Sequence, residues 1–162
     1  MKKLIINLAI AAGLLANSSL LTAQLVSSPL EAGMYSYLKE TASPQSYSIT
    51  IIDNSRLVMA RPTGALNVSI EYLAPDNILI SGTVATLVIH NEGVLLDLQR
   101  KIDDYNFSGP VGTLKLDPRT GLLTMEHRLN PKAVGPAVMA RVAVKFFEVI
   151  GRLQQRFTEK LA

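Results

Sequence analysis

The sequence predicts an α+β fold: an antiparallel sheet flanked by helices, in the order α-β-β-β-α-β-β-α. Three stretches carry that prediction. "ALNVSIEYL" puts Leu66, Val68, Ile70 and Tyr72 on one face and Asn67, Ser69 and Glu71 on the other, the alternation of a half-buried strand. "VGTLKL" and "LLTMEHRL" flank "DPRTG", a hairpin connection in which Asp117 and Pro118 start the turn and Gly121 takes the strained backbone position. The chain closes on a long amphipathic stretch from "NPKAVGPAVMARV" to "FTEKL".

The elements follow in order. In "SSPLEAGMYSYLKETASPQ", Ser28 suits an N-cap, Pro29 the first turn and Glu31 the positive end of a helix. Leu30, Met34 and Leu38 recur every four residues, as one helical face requires, and "ASPQ" ends the segment. "SYSITII" alternates around Tyr47, Ile49 and Ile51. "DNS" is turn chemistry and "RLVMAR" a second short run, so the first β segment fits either one strand of the order above or a hairpin of its own. After the strand at 65–73, "ILISGTVATLVI" reads as another, with Gly82 at a bend or bulge. Residues 83–89 fit either its continuation or a connection. "HNEGVLLDLQRKIDDYNF" changes period: Leu95, Leu98, Ile102 and Tyr105 have helical spacing, Asn91 fits the cap, and Asp103 and Asp104 close the helix. In the returning strand Leu123, Met125, His127 and Leu129 share a face. Asn130 and Pro131 fit the start of the last helix, with Gly135 and Pro136 as the alternative start.

Composition bounds the compartment and the chemistry. Residues 1–23 have signal-peptide order: basic Lys2 and Lys3, an apolar run from Leu4 to Ala16, then small residues up to a cut before Gln24. Asn17, Ser18 and Ser19 interrupt the stretch where a membrane-spanning helix wants apolar residues. The expectation is an exported protein, periplasmic or secreted, with residues 24–162 as one domain. Membrane attachment follows only if the N-terminal segment is retained. The chain has 16 Lys and Arg against 13 acids, and losing Lys2 and Lys3 leaves 14 against 13, a net charge of +1. With no Lys/Arg-rich run, nucleic-acid binding has no electrostatic footprint. With no cysteine there is no disulfide scaffold and no thiolate metal site.

Catalytic patterns are absent from the sequence. His90 and His127 are isolated and form neither a zinc spacing nor a triad. Asp103 and Asp104 are adjacent, so on a helix they diverge rather than share a proton. No G-x-S-x-G, phosphate-binding glycine loop or H-E-x-x-H is present. The expectation is a non-enzymatic module with no cofactor and no metal.

The last helix points to binding. Val138, Val142, Phe146, Val149, Leu153 and Phe157 form one apolar stripe. Met139, Ala143, Phe147 and Ile150 form a second beside it. One stripe covers a sheet, and two are wider than a single sheet contact needs unless other helices of the chain cover the second. Met139, Ala143, Phe147 and Ile150 are therefore the candidate partner surface, with a homodimer or a stable complex as its product.

A helix ending in "DDYNF", then "VGTLKLD", a turn with Gly, "LLTMEHRL" and a long C-terminal helix resembles the YbjN-like family. The resemblance is firmest over 91–160 and topological over 45–90, and includes Asn106 at the helix end. It implies the type III secretion chaperone-like fold, no catalytic motif, and a regulatory or chaperone-like role, since fold relatives bind protein partners, often as homodimers. The export signal and the low acidity set this sequence apart from a cytoplasmic effector chaperone. The expected function is thus an exported protein-binding module. The alternatives are a carrier of an apolar small ligand and a hydrolase of unrecognised type.

Overall fold

The computed structural model describes residues 29–41, 47–53, 55–62, 66–74, 77–109 and 111–159. The signal-peptide segment 1–23 and the Ser28 cap lie outside the described residues. The architecture of the described residues is α+β, with a six-stranded antiparallel sheet and three helices in the order α1 (Pro29–Thr41), β1 (Ser48–Asp53), β2 (Arg56–Ala60), β3 (Asn67–Ala74), β4 (Asn77–Thr86), α2 (Glu92–Ser108), β5 (Thr113–Leu116), β6 (Leu122–Leu129) and α3 (Pro136–Glu159). Of the two readings of the first β segment the structure has the hairpin, β1–β2, so four strands rather than three precede α2. The strand order is β1-β2-β3-β4-β6-β5.

Register divides the sheet into two unlike faces. Ile49, Met59, Val68, Gly82, Met125 and Leu114 lie opposite one another in one row across all six strands. Beside it run Ile51, Leu57, Ile70, Ile80 and His127. This face joins the core with Met34 and Leu38 of α1, Ile102 of α2, and Met139, Phe146, Phe147 and Ile150 of α3. On the opposite face the central row reads Thr50, Val58, Ser69, Ser81, Glu126 and Thr113, none of them buried. The two-residue side-chain period of each strand sorts apolar from polar side chains in this way.

Two expectations about boundaries change. Asp103 and Asp104 do not close α2, which runs a further turn to Ser108, because Ser108 Oγ donates to Asp104 O and the Gly109 N–H caps Tyr105 O. The last helix starts at Pro136, not at Asn130. Asn130 instead holds a turn, with its carbonyl accepting from Ala133 N and Val134 N and its side chain from Lys132 N. Proline suits the first helical position, and the residue before it avoids helical backbone, so Gly135–Pro136 sets the boundary. The Asn91 cap is as expected: Oδ1 accepts from Val94 N at 2.9 Å.

Gly82 is not the bulge. It pairs regularly with Val68 and Met125, and the register shift follows it, between Thr83 and Ala85. Its missing side chain serves a different need. A Cβ there would sit 2.7 Å from Ile150 Cδ1 and 3.0 Å from Asn67 O. Glycine thus lets α3 approach the sheet centre, and β4 continues to Thr86.

Candidate functional surface

The four residues assigned to a partner surface are buried inside the chain itself. Met139, Ala143 and Ile150 have no exposed surface and Phe147 is 4% exposed. They are core and not partner surface, for three physical reasons. The helix α1 packs along α3, bringing the fully buried Met34 and Leu38 into the same core. The Tyr47 ring lies 5.3 Å from the Phe147 ring, tilted by 55°. Ile150 itself turns to the sheet at Gly82. The surplus apolar surface of α3 is on the other stripe, where Val138 is 41% exposed and Val142 only half-buried.

Val138 and Val142 join Val111 in an open groove of about 320 Å³, with Arg141 and Lys145 completing its lining. The loop bearing Val111 is held from α2, since Tyr105 Oη donates to Val111 O at 3.2 Å. Four residues before Val111 stands Phe107, near the end of α2 and 97% exposed. Lys145 keeps a loose ion pair with Glu148 at 3.8 Å between exposed side chains, which leaves its charge available at the groove rim. Neither the groove nor Phe107 stood out in the sequence. Periodicity alone puts Val138 and Val142 in the stripe that would cover the sheet, and Phe107 is an ordinary apolar residue of a helix end until its exposure is known.

The titratable residues are dispersed. His127 is half-buried in the inner row opposite Ile80, and burial alone pushes its pKa below the ordinary value. His90 is exposed before α2. Asp103 and Asp104 are both exposed. Asp117 has the turn role read from the sequence: its carboxylate accepts from Arg119 N at 2.9 Å and from Thr120 Oγ1 at 2.8 Å, and these bonds hold its pKa down. Gly121 closes that turn at φ 70°. Tyr47 Oη is buried with no hydrogen-bond partner among the described residues, and burial, then the charge of Glu148, raises its pKa. Among the described residues, no group of three His, Asp or Glu gathers as metal ligands, and no helix is long and apolar enough to cross a membrane.

Asn106 has a defined role. Its Nδ2 donates to Leu114 O at 3.0 Å and its Oδ1 accepts from Leu114 N at 2.7 Å. One side-chain amide thus satisfies both outward backbone groups of a residue on the edge strand β5, as a further strand would.

No family model matches the chain. No curated protein matches it either. The YbjN-like resemblance therefore finds no support as family membership. Among solved structures the chain is similar to one in the heterodimeric complex ExoU–SpcU from the type III secretion system of Pseudomonas aeruginosa, at 18% identity and a TM-score of 0.44, over 74% of this chain and 93% of that one. That is a partial likeness of architecture and carries nothing about function.

Proposed function

We propose that this chain is an exported, non-enzymatic protein-binding module, and that it binds at the groove between the Val111 loop and the first half of α3. One observation carries the reading: apolar surface is held in water, in a groove lined by Val111, Val138 and Val142 and on Phe107, which stands four residues before Val111 in the chain at 97% exposure. Keeping a phenylalanine ring solvated forgoes about 1.5–3 kcal/mol, a cost that burial against a partner removes. Arg141 and Lys145 select the partner's chemistry: an apolar side chain for the groove, with carboxylates placed to meet the two cations. Signal-peptide order at residues 1–23 supports export.

The test compares the chain with two variants as bait against the exported fraction of its host. Phe107→Ala and Val138→Glu alter exposed side chains and should leave the circular dichroism spectrum unchanged. A partner held by the wild type should be released by both. A partner held equally by all three refutes the groove.

A further inference from the structure

The two edges of the sheet are treated differently. At β5, Asn106 occupies the outward backbone groups of Leu114, and α2 packs against the strand. At β1 no described residue forms a hydrogen bond to the outward backbone. Proteins usually blunt an edge with lysine, proline or an inward charge. The β1 sequence, "SITIID", has none of these before Asp53. Asp53 is already engaged, accepting from Ser55 N and Ser55 Oγ at its own turn.

Hydrogen-bond alternation says which residues of β1 face outward. Arg61 N donates to Leu66 O at 3.1 Å, next to the pair Ala60–Asn67. In an antiparallel ladder bonded pairs alternate, so β2 bonds to β3 through Leu57, Met59 and Arg61. Val58 and Ala60 then bond to β1, where they oppose Thr50 and Ser48. The N–H and C=O groups of Ile49 and Ile51 are left pointing away from the sheet.

We propose that β1 pairs with β1 of a second copy of this chain, antiparallel, about a two-fold axis between the two Thr50 residues. The strand is self-complementary in that register and in no neighbouring one. Ile49 of each copy meets Ile51 of the other, so the outward groups of both residues form four backbone hydrogen bonds. Both isoleucines lie on the helix-covered face, where they are only half-buried, and the contact completes their cover. Thr50 meets Thr50 on the polar face as a non-bonded pair, an arrangement in which β-branched and hydroxyl side chains pack well. Slipping the register by one residue places an inner side chain opposite an outer one. Centring the contact on Ile51 runs into the register shift before Asp53, and centring it on Ile49 requires Tyr47, which is buried against Phe147. The described strands of the two copies form one twelve-stranded sheet, with the described helices on the face that carries the core. The α3 groove plays no part in the contact, which stands whether or not the binding reading above holds.

The absence of native cysteine makes the test direct. In a non-bonded antiparallel pair the two Thr50 Cα atoms lie about 4.5 Å apart, within disulfide reach of about 4.4–6.8 Å. Ser48 shares the same exposed face, but its copies are offset by four residues, about 13 Å. Under mild oxidation of the chain purified from its native host, Thr50→Cys should form covalent dimer at least tenfold faster than Ser48→Cys, and denaturant should abolish the difference. By sedimentation, the wild-type mass should rise with concentration. Thr50→Lys, which brings like charges together on an exposed face, should weaken the dimer at least tenfold with its circular dichroism unchanged. Equal cross-linking of the two cysteine variants, or a wild type that remains monomeric at every concentration, overturns the proposal. A Thr50→Lys protein that dimerises as well as the wild type does the same, and does not depend on the cysteine variants folding.

Discussion

Phe147 decides whether the second apolar stripe of α3 is core or contact surface. As a partner surface, Phe147→Glu would spare the fold. The structure predicts the opposite. The ring is 4% exposed and packs on Tyr47 at 5.3 Å, inside the layer that α1 covers. Truncating a buried phenylalanine costs about 3–5 kcal/mol, and losing the aromatic pair is part of that cost, worth about 0.5–1.5 kcal/mol beyond area. Total stability for a domain is about 5–15 kcal/mol. Phe147→Ala should therefore remain folded with Tm lowered by about 6–20 °C, at about 2–4 °C per kcal/mol. Phe147→Glu, which buries an unpaired charge, should lose the cooperative transition altogether. Thermal unfolding followed by circular dichroism measures both. A partner experiment adds a control: Tyr47→Phe removes a buried hydroxyl that has no described partner and should be neutral or stabilising. A Phe147→Glu protein that unfolds cooperatively near the wild-type midpoint would show that α1 does not cover this stripe and would restore it as a contact surface.

Three further outcomes test the frame around it. Asn106→Ala should cost about 1–3 kcal/mol in urea unfolding, two hydrogen bonds at about 0.5–1.5 kcal/mol each, and Asn106→Asp should not restore it, because a carboxylate repels Leu114 O; a loss below half a kcal/mol would show that the amide is incidental to the β5 edge. Gly82→Ala should cost about 1–3 kcal/mol by overpacking, and Ile150→Val in the same chain should recover part of that; simple additivity of the two losses would show that the Cβ does not meet Ile150. His127 is held neutral by burial, so its contribution to stability is full above its ordinary pKa of 6.5 and is lost as pH falls from there toward the lower folded value. The urea midpoint should fall across that window in the wild type and fall less in His127→Gln, and equal slopes in both proteins would place the acid sensitivity elsewhere.

Local chemistry accounts for what was legible before the structure. Leu66, Val68 and Ile70 are fully buried while Asn67 is exposed, because a two-residue period leaves a strand no other way to hide its apolar side chains. Asp117 and Gly121 form their turn from bonds that span four residues, and Asn91 caps a helix three residues on. Each of these is written within a few positions of the chain, and so was the α+β class. The surface was not written that way. Periodicity showed two apolar stripes on α3 and could not say which neighbours cover them, since cover comes from α1, about a hundred residues earlier, and from a glycine on β4 that opens room for Ile150. Asn106 was legible only as a residue at a helix end. Its meaning depends on Leu114 arriving beside it, on a strand that follows a loop. The place of β1 at the edge of the described sheet and the exposure of Phe107 are likewise properties of strand order and helix placement. They arise when distant segments meet, where burial and the pairing of backbone groups are decided.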